Sequence, residues 1–226
     1  MKKKRLLIFL SLILCAASGA AFAQINTIRI KFIGNCGLYM SDGKLDVYVD
    51  FPYQSGAFNY MKYDKAELDS IKDKALFIFT HRHPDHYAAR HLRKLNGKIL
   101  GPWKVAKKKR ADLQKLRDSI PDFSVQVFKT KHRFSSRHSS YLLSWHGKKI
   151  FLSGDTEMAE TIAAVPHMDL AFVPYWILAD AKEKGLKINA EKFIIYHLYP
   201  DQKISGTVPE NIKLLQKQGE VLSVPY

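Results

Sequence analysis

Apolar and polar positions alternate over residues 27–33, which predicts a half-buried strand, and Gly34 and Gly37 punctuate its end. Residues 38–40 and 45–51 read as two more short strands joined by the Asp42-Gly43 turn, so three antiparallel strands open the fold. A helical stretch over 64–72 leads to the apolar strand 76–79, which runs into a histidine-rich loop and a helix over 87–95. A helix over 105–116, closed by Pro121, precedes strands at 125–129, 141–145 and 149–152, the last two joined by His146-Gly147. Then come a strand over 170–174, a helix over 180–184 stopped by Gly185, a strand over 193–196, and a helix over 210–218 with Pro209 at its start. Strands and helices mix in both halves, which predicts an α+β domain of two packed sheets with helices outside.

The apolar run 6–20 does not belong to that pattern. Lys2, Lys3, Lys4 and Arg5 precede it and Ala21-Phe22-Ala23 follows, the three parts of a secretory signal peptide over 1–23 with cleavage before Gln24. The expectation is an exported protein, periplasmic or secreted, whose mature domain is 24–226. Apart from that run, 46% hydrophobic and 25% charged content over 226 residues is globular composition. It excludes a disordered, collagenous or polytopic membrane chain. Removing 1–23 takes four basic residues from a net charge of +15 and leaves +11. The mature chain keeps one cysteine, Cys36, so it forms no internal disulfide, and Cys36 reads as a small buried hydrophobe.

The strongest chemical signal is Thr80-His81-Arg82-His83-Pro84-Asp85-His86, directly after an apolar strand. His81 and His83, two residues apart in an extended loop, can point to one side and grip a divalent ion, while Asp85 and His86 face a second. Asp155, in Gly154-Asp155-Thr156, and His197 both follow strands and can add ligands, Asp155 as a bridge between two ions. Two residues compete for the remaining imidazole of the first ion. His132 extends the strand 125–129; His138 begins the strand that leads towards Asp155. His132 is favoured because the other ligands follow strands. His91, His146 and His167 read as solvated or capping residues. Imidazole and carboxylate together suit Zn2+ best and also accommodate Mn2+ or Fe2+.

These motifs, with the opening Lys31-Phe32-Ile33-Gly34-Asn35-Cys36-Gly37 and the strand Val47-Tyr48-Val49-Asp50, resemble the metallo-β-lactamase superfamily along nearly the whole mature chain. More narrowly they are similar to the group of L-ascorbate-6-phosphate lactonase and N-acyl-phosphatidylethanolamine phospholipase D. The resemblance implies a four-layer αββα sandwich with a dinuclear metal site between its sheets. It implies a first ion on His81, His83 and His132, a second on Asp85, His86 and His197, and Asp155 between them. It also implies a hydrolase that uses a metal-bound hydroxide oriented by Asp85. The other reading is a non-catalytic metal-binding or sensor protein on the same fold.

The substrate expected from the charge is an anionic ester, phosphodiester or lactone, small or lipid-like. Arg82 sits inside the metal loop, and Lys129, Lys131, Arg133 and Arg137 surround His132. Nucleic acid is not expected, since the basic charge comes with an export signal. The basic run Lys104, Lys107, Lys108, Lys109, Arg110, Lys115 and Arg117 reads as one solvated outer helix, with weak attraction to an anionic surface as its sharper alternative.

Overall fold

The computed structural model describes residues 26–103 and 109–226. The signal segment and Lys104, Lys107 and Lys108 lie outside the described residues. Two six-stranded sheets form the centre. The first contains β1 (Thr27–Gly34), β2 (Gly37–Ser41), β3 (Asp46–Val49), β4 (Leu76–Ile78), β5 (Lys98–Leu100) and the C-terminal β12 (Val221–Pro225), which pairs antiparallel with β1. The second contains β6 (Phe123–His132), β7 (Ser135–Trp145), β8 (Lys148–Leu152), β9 (Met168–Pro174), β10 (Ala190–Tyr196) and β11 (Ile212–Leu214). Strands β1 to β3 are an antiparallel meander, as the Asp42-Gly43 turn requires.

Three apolar clusters make the layers. Alternate residues of both sheets, among them Ile30, Leu38, Val49, Tyr141, Leu152 and Phe172, meet between the sheets as the central core. The outer face of the first sheet carries Tyr48, Phe77 and Phe79. Leu68 of α1 (Ala66–Asp69) and Leu92 of α2 (Ala89–Leu92) cover it. The outer face of the second sheet carries Phe151, Ala171 and Ile195, covered by α4 (Ala159–Ala163) and α5 (Tyr175–Glu183). The result is the expected αββα sandwich. Between α2 and α4 in the chain, α3 (Leu113–Ser119) packs Leu116 against the central core from the side.

Three expectations need correction. Residues 210–218 are not a helix: Ile212–Leu214 adds a parallel strand beside Phe193–Ile195, and Leu215 N–H donates to the Ile195 carbonyl at 2.8 Å. An open sheet edge offers those backbone groups partners that outweigh an amphipathic helical pattern. The basic run is not one helix. Arg110 bridges Ile99, and Asp112 caps α3 by accepting from Gln114 N–H and Lys115 N–H, so the helix begins at Leu113. Helix α5 starts at Tyr175, five residues earlier than expected, because Pro174 ends β9 and serves as its N-cap. Strands β5 and β12 and helix α4, too short to show a period, appear only in the fold.

Candidate metal centre

The ends of β4, β8 and β10 converge at one rim of the sandwich. There they place His81 to His86, Asp155 and His197 together, and the tip of the β6–β7 hairpin brings His132 over them. Thr80 and Gly154, in the loops that follow β4 and β8, approach each other where the sheets meet. Gly154 has φ +58°, and a Cβ there would lie 2.6 Å from Thr80 Cβ. Only glycine fits both the conformation and the space.

Five histidines aim one ring nitrogen at a common region. His81 Nδ1 bonds Thr80 Oγ1 at 3.1 Å, which leaves its Nε2 buried and without a partner. His83 Nε2 bonds the Phe134 carbonyl at 3.2 Å, leaving Nδ1 to face His132 Nε2 at 3.3 Å. His86 Nδ1 donates to Asp50 Oδ2 at 2.9 Å, and its Nε2 faces His197 Nε2 at 3.3 Å. Two ligands about 2.0–2.1 Å from one tetrahedral ion stand about 3.3–3.4 Å apart. The paired nitrogens therefore have the spacing of ligands that share an ion. His81, His83 and His132 form one group whose donor atoms all lie within 4.8 Å of one another. A second group on the same criterion contains Cys36, His86, Asp155 and His197. Asp155 Oδ2 lies 3.0 Å from both His86 Nε2 and His197 Nε2, and 3.7 and 3.8 Å from His81 and His132. That oxygen sits between the two groups. Asp85 Oδ2 stands 3.4 Å from His86 and His197, and its Oδ1 is buried without a partner. A donor set of imidazoles and carboxylates with orphaned atoms fits two divalent cations.

His138 is brought close but turned to another task. Its Nδ1 pairs with Thr130 Oγ1 at 2.7 Å and its Nε2 accepts from Asp155 N–H at 3.1 Å, so both nitrogens are engaged.

The electrostatics are those of a cation site. Burial disfavours charge on His86 and His197, but Asp155 and Asp85 override it. They raise His86 well above the ordinary imidazole range and His197 to about 9. Burial would raise Asp155, yet His197 and His86 hold its pKa well below the usual carboxylate range. Burial, opposed by Asp155, keeps His81 low and lowers His138 to about 3. The buried carboxylates thus draw positive charge into the cluster, which a metal satisfies.

Sequence reading missed three supporting residues. Asp50 accepts from Thr80 N–H and Thr80 Oγ1, both at 2.7 Å, as well as from His86, and so orients His86 directly and His81 through Thr80. Asn35 donates to the Asp85 carbonyl at 2.9 Å and to Asp85 Oδ2 at 3.2 Å. Cys36 is buried as expected, but its Sγ–H points to Asp155 Oδ1 at 3.7 Å. Burial and the neighbouring carboxylates raise its pKa, so it remains a thiol donor. The Asp50 signal was present in Val47-Tyr48-Val49-Asp50, a carboxylate at a strand end.

Of the basic residues expected around His132, Arg133 lines the cleft over these ligands. Arg82 and Arg137 open instead into a separate cavity of 370 Å³ with Ser135, Ser136 and Trp103.

The two stacked sheets with ligands at their rim define the metallo-β-lactamase fold. The chain is similar to a metallo hydrolase from Ignicoccus hospitalis, Igni18, with TM-score 0.61 and 14% identity over 88% of this chain and 99% of that one. It is similar also to the metallo-β-lactamase fold protein YhfI from Bacillus subtilis, with TM-score 0.53 and 14% identity over 88% and 100%. An isothiocyanate hydrolase from Delia radicum gut bacteria gives TM-score 0.54 and 12% identity over the same shares. No family model matches the chain, and neither does any curated protein.

Proposed function

We propose that this chain is an exported metal-dependent hydrolase that cleaves an ester, phosphodiester or lactone at a two-ion centre. The observation that carries the reading is the convergence of four imidazoles, His81, His86, His132 and His197, around Asp155 Oδ2, with His83 paired to His132 at 3.3 Å. His81, His83 and His132 would hold one ion, Asp85, His86 and His197 the other, with Asp155 between them. Zn2+ suits that set best. When bound, two such ions bring the pKa of a water down towards about 7 and draw charge from the oxygen of the bond under attack.

The chain's own residues supply orientation. Asp50 sets the ring of His86, and through Thr80 that of His81. Asn35 anchors Asp85 by one oxygen, so Asp85 Oδ1 is free to accept a hydrogen bond from the attacking water and aim it. Arg133, at the mouth of the cleft, is placed to receive one anionic group of the substrate. Resemblance of the motifs to the lactonase and phospholipase D group supports the bond type, and the Lys-rich start with its apolar run supports export.

The test measures bound metal by elemental analysis alongside turnover of bis-p-nitrophenyl phosphate, a phosphorylated lactone, neutral lactones and nitrocefin at low and high salt. About two ions per chain and turnover abolished by chelation are expected. Activity that survives exhaustive chelation would overturn the proposal, and two bound ions with no turnover would turn it towards the sensor reading.

A further inference from the structure

We infer that the mouth of this site selects substrates whose non-reacting part is an apolar ring or acyl chain, an assignment that rests on the hydrolase reading above. The cleft over the ligands has a volume of 770 Å³. Small-molecule sites measure roughly 300–1,000 Å³ and are lined mostly by apolar and aromatic groups. Here Phe58, Tyr60, Phe134, Trp176 and Tyr199 line it, from four separate stretches of chain.

These rings are positioned and wet. Phe134 is 88% exposed, Phe58 59% and Tyr199 49%, although each is large enough to favour burial. Tyr60 stacks on Tyr199 with centroids 4.4 Å apart and planes at 11°, and meets His197 edge-on at 4.2 Å. Trp176 approaches His197 at 5.4 Å and is fixed by its Nε1–H donating to the Thr156 carbonyl at 3.0 Å. Phe58 stands edge-on to His83 at 6.3 Å. Phe58 and Phe134 also have φ of +53° and +61°, the left-handed region that bulky residues enter only at a cost. Folding stability favours neither the strain nor the exposure. An apolar group seated between the rings offsets the exposure by removing them from water, and it lies directly over the ligands, where the bond to be cleaved must sit.

The charges at the mouth agree with this. Arg133 lays its guanidinium over the Phe134 ring at 5.2 Å, and Glu157 lines the same cleft. One cation balanced by one carboxylate is a poor trap for a multiply charged substrate but tolerates a neutral or singly anionic one. The occupant is therefore a small aryl or acyl ester or lactone.

The experiment compares γ-butyrolactone with γ-phenyl-γ-butyrolactone, which share the reacting bond, and titrates 4-fluorophenylacetate into the zinc-loaded full chain by 19F NMR. We expect kcat/KM at least tenfold higher for the phenyl compound and saturable broadening of the fluorine signal. Phe134→Ser combined with Tyr199→Ser should cut that ratio at least fivefold and weaken probe binding, with bound zinc unchanged. Equal turnover of the two lactones, or a preference that survives the double variant, overturns the inference while leaving the hydrolase standing. Probe binding that depends on Phe134, without turnover of either lactone or of any ester or phosphodiester in the panel above, does the reverse: the collar stands and the hydrolase falls. Binding to phosphatidylcholine vesicles lost with Phe134→Ser, with no aryl preference, would make the collar a lipid-docking face and overturn the inference as well.

Discussion

Asp50 and His86, 36 positions apart, meet at 2.9 Å, with Asp50 Oδ2 accepting from His86 Nδ1 while His86 Nε2 faces the ligand cluster. The bond decides which nitrogen carries the proton, and so which one is free to ligate. Asp50→Asn places an amide N–H₂ or a single carbonyl among three donors and removes the charge, so His86 is released to the other tautomer. Metal affinity should fall by about 10–100-fold. Competition with a chromophoric chelator measures this, and unchanged affinity in a folded variant would refute the role.

Replacement of His132 and of His138 should separate two kinds of histidine. His132→Ala removes a nitrogen that faces His83 and Asp155, so bound metal should fall from about two ions towards one. His138→Ala strands the Asp155 N–H and should cost about 1–3 kcal/mol in stability while metal is retained. Elemental analysis and urea titration of both variants are the check; the reverse pattern would make His138 the ligand.

Gly154→Ala is expected to lose about 2–4 kcal/mol, because the new Cβ meets Thr80 at 2.6 Å in a left-handed conformation. Thr80 also holds Asp50, so metal affinity should drop with stability. Denaturant unfolding of metal-free and zinc-loaded protein reads both effects, and a neutral substitution would count against the close approach.

Asp42 ties the two sheets at the far end from the metal site. Its carboxylate accepts from Lys44 N–H and Leu45 N–H of its own turn, both at 2.8 Å, and from Trp145 Nε1 and His146 Nε2 of the opposite sheet at 3.1 and 2.7 Å. Burial alone would raise its pKa, but these donors lower it to about 2 from an ordinary 3.8. A depressed folded pKa contributes stability that is present above pH 3.8 and is lost as pH falls through about 2. Asp42→Ala should therefore destabilise by about 2 kcal/mol at pH 7 and by much less at pH 2. Equal destabilisation at both pH values would contradict the assignment.

Protein recovered from the cell envelope should begin at Gln24, after cleavage at Ala21-Phe22-Ala23. N-terminal sequencing decides this, and a chain still starting at Met1 in the membrane fraction would refute export.

What the sequence determined by itself is local. The motif His81-x-His83-x-Asp85-His86 lies within six residues, and the apolar runs before His81, Asp155 and His197 mark the strand ends that carry them. Alternation in β1 to β3 and the turn residues between them sufficed for the opening meander, because period and turn chemistry are properties of neighbours in the chain. The choice between His132 and His138 was open, since both flank one hairpin; the fold turns one towards His83 and engages both nitrogens of the other. Residues 210–218 have a helical pattern, and only the free edge of β10 draws Ile212–Leu214 into a strand. Asp50, Asn35 and Cys36 gain their roles from partners 30 to 119 positions away, and Phe58, Tyr60, Phe134, Trp176 and Tyr199 become a collar only when three loops and a helix meet at one rim. A side chain's partners across a sandwich depend on how two sheets stack, and no window along the chain contains that information.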